Sequence, residues 1–331
     1  MKAFVLERYG KADTVRIREM PDPALRDDEV LVQVRAASVN PLDSKIRGGE
    51  FKLLLKYSLP LILGHDLAGV VVRVGPRVQH FKPGDEVYAR AADYRIGTFA
   101  EYIAVREADL AIKPKTLTME EAASVPLVAL TAWQALIERA NLKKGQKVLI
   151  HAGAGGVGTL AIQLAKHLGA TVATTTSTAN VDWVKRLGAD IVIDYKKDDF
   201  ATLLSGYDVV LNSLDAKTLS KSVRVLKPGG QLISISGPPD PAFAKQLGSA
   251  LLGVVMRLLS RRIRREANKH GASYSFLFMR ASGSQLREIT SLIESGVIRP
   301  VVDRIFPFEK IREAMAYVET GRVKGKVVVT I

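Results

Sequence analysis

Between Lys147 and Gly169 the chain reads "KVLIHAGAGGVGTLAIQLAKHLG", and no other stretch narrows its fold as far. Gly153, Gly155 and Gly158 stand in the spacing G-x-G-x-x-G, directly after an apolar run and directly before a segment of helical period. Each glycine has its own physical reason. The first permits a tight turn, the second lets backbone approach a pyrophosphate, and the third lets helix pack on strand, while the helix amino terminus offers free N–H groups to the phosphates. Alone the spacing is weak; the strand before it, the helix after it and a second strand "ATVATTT" beyond Gly169 supply the context it needs.

The segments that follow keep that rhythm: "VDWVKRLGA", "DIVIDY", "YDVVLNSL", "GGQLISISG" and "YSFLFMR". Strands that are almost wholly apolar, alternating with helices, predict an α/β fold with a doubly wound parallel sheet covered on both faces. Residues 1 to about 125 read differently. Runs such as "EVLVQVRAASV" and "LAGVVVRVG", punctuated by turn glycines and prolines, predict an irregular, largely antiparallel barrel. Thr118 caps what reads as one helix, "TMEEAASVPLVALTAWQALIERANL", bridging the two regions. The ending "GKVVVTI" reads as a closing strand that returns to the first region.

Length, at 331 residues with 47% hydrophobic content, suits two domains. The absence of cysteine excludes a disulfide framework and an all-cysteine zinc site, and fits a reducing, cytoplasmic compartment. The amino terminus reads as a first strand, not a signal peptide, and no apolar run is long enough to span a bilayer. A net charge of +14 raises nucleic acid as a partner. Seven cations, Lys245, Arg257, Arg261, Arg262, Arg264, Arg265 and Lys269, stand against Glu266 alone between residues 244 and 269, so much of the excess is local. No recognition signature accompanies it, and specific nucleic-acid binding is not expected.

A carboxylate at the end of the second strand normally holds the ribose hydroxyls of NAD; here that region reads Thr174, Thr175, Thr176, Ser177 and Thr178. Hydroxyls and nearby cations accept a 2'-phosphate that a carboxylate would repel, which favours NADPH. Lys185 and Arg186 on the next helix are within reach only if they turn toward the loop.

The stretches "NPLDSKIRGG", "GHDLAG", "VGPRVQHFKPGDEVYA", "GTFAEY", "HAGAGGVG", "VKRLGADIVIDY" and "GRVKGKVVVTI", in this order, make the chain similar to the medium-chain dehydrogenase/reductase superfamily. It resembles most the zinc-free quinone oxidoreductase and enone reductase branch. The resemblance implies a GroES-like catalytic domain over residues 1–125 and 282–331 and a Rossmann domain over 126–281. It implies that Gly155, Gly156 and Val157 line the pyrophosphate, that Ser177 and Tyr195 hold the 2'-phosphate, and that Thr131, Ser236 and Phe278 contact the nicotinamide half. "GHDLAG" looks like the signature around the catalytic zinc of zinc-dependent relatives, yet Asn40 stands where the first cysteine ligand would be and an apolar residue near Leu127 where the last would be. His65 alone keeps its place, too few ligands for a four-coordinate zinc, so no metal is expected. Asp43 has the spacing of the residue that orients the ligand histidine, which predicts an Asp43 to His65 hydrogen bond; Gly64 and Gly69 are expected to serve the backbone turn.

Without metal or thiol, the expected chemistry is hydride transfer from NADPH to a quinone or an α,β-unsaturated carbonyl compound, the protein supplying orientation and hydrogen bonds. Asn40 is the first candidate donor, Tyr57 in the loop "FKLLLKYSLP" the second, and Lys45 the third. Two other classes stay open: an NADPH-binding structural or regulatory protein with little turnover, and an RNA-binding moonlighter. A homodimer is expected. The stretch 244–269 reads as one amphipathic helix, with Leu247, Leu251, Leu252, Val255, Leu258, Leu259 and Ile263 near helical spacing. Its roles are open between a lid, a dimer contact, a weak contact with an anionic membrane surface, and a solvated insertion.

Overall fold

The structure is a computed structural model that describes residues 1–52, 54–248 and 250–331; Leu53 and Ser249 lie outside the described residues. The chain divides into two compact units, Met1–Leu130 with Arg280–Ile331, and Thr131–Met279.

In the second unit six parallel strands form one sheet. Their order is Ile191–Asp194, Thr171–Thr176, Lys147–Ile150, Tyr207–Asn212, Leu226–Ser234 and Ser273–Phe276. Numbered along the chain this is 3-2-1-4-5-6, the doubly wound Rossmann order, with its switch between Lys147–Ile150 and Tyr207–Asn212. Val148, Leu149 and Ile150 and the whole of Tyr207–Asn212 are buried, as central strands covered on both faces must be.

The first unit is β-rich. A seven-stranded sheet runs Val302–Pro307, Lys326–Thr330, Glu29–Val39, Asp66–Val74, Glu86–Arg90 and Leu110–Ile112, with Tyr102–Arg106 paired to Glu29–Val39 as well. A smaller sheet joins Val15–Glu19, Lys2–Leu6 and Leu61–Ile62. Phe4, Val32, Leu67, Phe99 and Val327 belong to one buried cluster. The pairing that matters for the site is threefold: Val39 stands opposite Val327, and Ser38 opposite Asp66, so three strand ends meet.

The single helix expected from Thr118 is instead three pieces, Met119–Ala123, Pro126–Trp133 and a π-helical turn Gln134–Arg139. Pro126 sits at the break, where its missing N–H cannot continue a preceding helix. Thr118 does cap the first piece, accepting from Glu121 N at 3.2 Å. The stretch 244–269 is likewise not one helix: Pro241–Gln246 ends at Gly248, whose φ of +69° reverses the chain, and Ala250–Leu259 and Arg261–Lys269 follow.

Candidate functional site

In the first unit the strand ends gather a wholly buried polar network. Asn40 precedes the helix Pro41–Gly48, and its backbone N–H donates to Asp43 Oδ2 at 2.7 Å. The other Asp43 oxygen, Oδ1, lies 2.6 Å from His65 Nδ1, so the bond expected from spacing is present. A carboxylate can only accept, which puts a hydrogen on Nδ1; Nε2 is buried and has no hydrogen-bond partner among the described residues. The Asn40 amide donates to Ser38 O at 3.3 Å and to Asp66 Oδ2 at 3.0 Å. Asp66 also accepts from Ser38 Oγ at 2.8 Å and from Leu127 N at 2.8 Å.

The member the sequence did not point to is Lys326. Its ammonium donates to Asn40 Oδ1 and lies 3.5 Å from Asp66 Oδ2. Burial pushes its pKa below the ordinary lysine value, while Asp66 and then Asp43 pull the other way. Lys326 reaches Asn40 only because Lys326–Thr330 pairs with the end of Glu29–Val39, and no local spacing encodes that meeting.

A zinc ion does not fit this donor set. His65 offers one nitrogen, Asp66 is already matched by an ammonium, and the Asn40 amide is engaged on both sides. Among the described residues no three His, Cys, Asp or Glu side chains group as a metal site.

The three donor candidates are placed differently. Both amide hydrogens of Asn40 are used inside the network, so Asn40 holds it together and has none left for a substrate. The Tyr57 hydroxyl donates to Asp93 O, and burial, with help from the Asp93 carboxylate, raises its pKa well above the ordinary phenol. Lys45 lies outside the network on a half-exposed face, 3.9 Å from Glu50 Oε2. Gly64 has a φ of +103°, as a turn glycine should, but Gly69 lies within a strand, where a Cβ would stand 2.2 Å from Gln33 O. Close approach, not a turn, fixes it as glycine.

In the second unit the expected cofactor residues collect at the carboxyl ends of the parallel strands. The loop Gly153 to Gly158 follows Lys147–Ile150, Ser177 follows Thr171–Thr176, and Tyr195 follows Ile191–Asp194. Ser236 follows Leu226–Ser234, and Phe278 follows Ser273–Phe276 with its ring centroid 4.9 Å from that of Phe243. In sheets of this order ligands sit along that edge. Thr131, at the start of the unit, is buried and sits on a helix.

The glycines of the loop separate by function. A Cβ at Gly153 would stand 2.3 Å from Thr174 Oγ1, and one at Gly158 2.3 Å from Ala152 O, so both are fixed by internal packing. A Cβ at Gly155 would meet only Ala152 O, at 3.3 Å, and its φ of −84° is open to any residue. The protein restricts this position far less than the other two, asking only that the Ala152 carbonyl give by a few tenths of an ångström, whereas a phosphate seated against the backbone demands glycine. Gly155 caps the helix Gly156–His167 with no side chain, and the first turn N–H groups of Gly156, Val157 and Gly158 precede the Thr159 N to Gly155 O bond. A dinucleotide therefore fits this cradle.

The threonines at the end of the second strand are not all available. Thr174 Oγ1 donates to Ile150 O at 2.6 Å, and Thr175 Oγ1 accepts from Ala152 N at 3.2 Å and lies 3.1 Å from His151 Nδ1. These hydroxyls hold the loop instead of facing a ribose. Ser177 and exposed Thr178 are left outside that arrangement with partners of their own: Ser177 Oγ accepts from Asn180 Nδ2 at 3.1 Å, and Thr178 bonds the Asp194 carboxylate, which holds that acid below its usual range. Lys185 and Arg186 are exposed, and so are Lys196 and Lys197, which directly follow exposed Tyr195 and escaped notice in the sequence.

Residues 26–115 match the family profile "Alcohol dehydrogenase GroES-like domain", and residues 187–329 match "Zinc-binding dehydrogenase". The chain is 38% identical over 340 residues to the 2-methylene-furan-3-one reductase of Solanum lycopersicum, with 99% of this chain and 79% of the relative covered. It is equally similar, at 38% over 340 residues and the same coverage, to the chloroplastic NADPH-dependent alkenal/one oxidoreductase of Arabidopsis thaliana. Among solved structures, the quinone oxidoreductase from Coxiella burnetii superposes with a TM-score of 0.88 at 32% identity, covering 100% of this chain and 99% of that one.

Proposed function

The chain belongs to the medium-chain dehydrogenase/reductase superfamily, and from that membership we propose that it is a zinc-independent, NADPH-dependent reductase of quinones or α,β-unsaturated carbonyl compounds. The observation that carries zinc independence is the Lys326 ammonium bonded to Asn40 beside Asp66: the charge a metal would bring is supplied by the chain itself.

NADPH, when bound, supplies the hydride. The chain's part is to hold and orient it and to deliver a proton. Gly156, Val157 and Gly158 receive the pyrophosphate on first-turn backbone N–H groups, while Gly155, whose own N–H donates to Ala152 O at 2.9 Å, lets it come close to the backbone. Ser177 and Tyr195 take the 2'-phosphate with Lys196 and Lys197 beside them, Lys197 also standing 3.7 Å from Asp194 Oδ2 so that it offsets that carboxylate. Thr131, Ser236 and Phe278 serve the nicotinamide half.

The Asn40 network acts by position. Asp43 fixes both the start of helix Pro41–Gly48 and the His65 ring, and Asp66 ties Ser38 to Leu127. Proton delivery falls to groups with a transferable hydrogen. Tyr57, raised by burial, keeps its phenol hydrogen across the neutral range and would turn it from Asp93 O to the substrate, and Lys45, beside Glu50 at the edge of the same unit, is the other such group.

Following NADPH absorbance on addition of enones, enals and quinones tests the reading. Turnover is expected, with Tyr57→Phe lowering kcat at least tenfold and leaving the affinity for NADPH unchanged. Tight NADPH binding with no turnover across the panel would contradict it and favour a regulatory cofactor-binding protein.

A further inference from the structure

The helix Ala250–Leu259 is turned inside out. Leu251, Val254, Val255, Leu258 and Leu259 recur at i, i+3, i+4, i+7 and i+8, the spacing of a core-facing stripe. Yet these side chains are 78, 60, 47, 63 and 57% exposed, while Met256 on the opposite side is buried. At 100° per residue the exposed five span an arc of about 140°. A stripe this wide facing water costs the folded chain unless something covers it.

Cations frame the stripe. The next helix, Arg261–Lys269, buries Ile263 and Ala267 and packs against Ser273–Phe276 and Ala216–Ser222, which leaves Arg261, Arg262, Arg265 and Lys269 exposed. Leu258 lines one surface concavity with those four cations. Leu259 lines another with Lys217, Lys221, Arg224 and Arg262. The only acid from residue 250 to 269, Glu266, already accepts from Ser220 Oγ.

We propose that this face of the second unit docks on an anionic lipid bilayer, the apolar stripe entering the acyl boundary and the flanking arginines and lysines meeting acidic headgroups. Charge decides the occupant. A second copy bound through the same patch would set one cationic cluster against another, because a two-fold interface pairs a surface with itself. Single-stranded RNA is bound by stacking bases on aromatic rings, and residues 250–269 contain none. An apolar face ringed by Lys and Arg is the form that lies in a membrane interface, with basic residues drawn to acidic lipids. No helix among the described residues is long and apolar enough to cross a membrane.

Flotation of the full chain with vesicles tests this. Binding to phosphatidylcholine vesicles containing phosphatidylglycerol is expected to be at least tenfold tighter than to phosphatidylcholine alone, and to weaken with added salt. Leu251→Glu with Leu258→Glu, and separately Arg261→Glu with Arg265→Glu, should each reduce it at least tenfold while NADPH binding and melting temperature stay unchanged. Equal or absent flotation with the two vesicle types overturns the proposal. So does a halving of the mass in light scattering on Leu251→Glu with Leu258→Glu, which would assign the stripe to a second copy, or retention on RNA without flotation, which would assign the cations to nucleic acid.

Discussion

Lys326 is the residue on which the first unit's site turns. An ammonium buried beside two buried carboxylates is tolerable only while its partners stay, and removing one side of such a pair leaves a charge with no compensation. Lys326→Met should therefore cost about 3–5 kcal/mol in denaturant unfolding. Adding Asp66→Asn should restore a large part of that loss, a coupling that a double-mutant cycle reads directly. His151 makes a second prediction. Its ring lies between Thr175 Oγ1 at 3.1 Å and Ser222 Oγ at 2.8 Å, and burial pushes its pKa down to about 4. From about pH 6.5 to pH 4 the unfolded chain binds a proton that the native state refuses. The contribution of this histidine is thus complete above pH 6.5 and lost as the pH falls toward 4, roughly 3 kcal/mol in all. Unfolding free energies measured down this range should fall, and should fall less for His151→Gln. Of these residues, Asp43 and His65 could be paired from sequence because their family spacing survives. Lys326 could not, because its partner lies 286 residues away along the chain.

At the scale of elements, the phosphate loop was legible because its glycines sit between a strand and a helix and each answers to a different constraint. Those constraints make separable predictions. Gly155→Ala meets little inside the protein and should change stability by less than about 1 kcal/mol while weakening NADPH binding at least tenfold. Gly158→Ala drives a Cβ against the Ala152 carbonyl and should destabilise by about 1–3 kcal/mol or more before any ligand is added. Denaturation and NADPH fluorescence titration on the two variants separate the cases. The run Thr174 to Thr178 was only half legible: composition supplies the hydroxyls but not their direction, and two of them turn inward to the loop. The stretch 244–269 failed for a similar reason. Periodicity reports that apolar residues share a face, not whether that face meets the core, and the break at Gly248 and the turn at Ser260 reoriented it.

For the whole molecule, strand and helix alternation foretold the parallel sheet, and the β-rich pattern foretold the other unit, because burial on two faces and burial on one leave different periods. What the patterns leave out is convergence. Strand ends from residues 38–40, 65–66 and 326 meet only through register, and on that meeting rests the proposal that a lysine of the chain supplies the charge a metal would bring. NADPH oxidation measured on protein stripped with a chelator, with a quinone or an enone as acceptor and NADH run alongside, tests that claim most directly. Undiminished turnover with NADPH preferred over NADH is the expected result. Activity that disappears on chelation and returns with zinc, or a preference for NADH, would contradict the account.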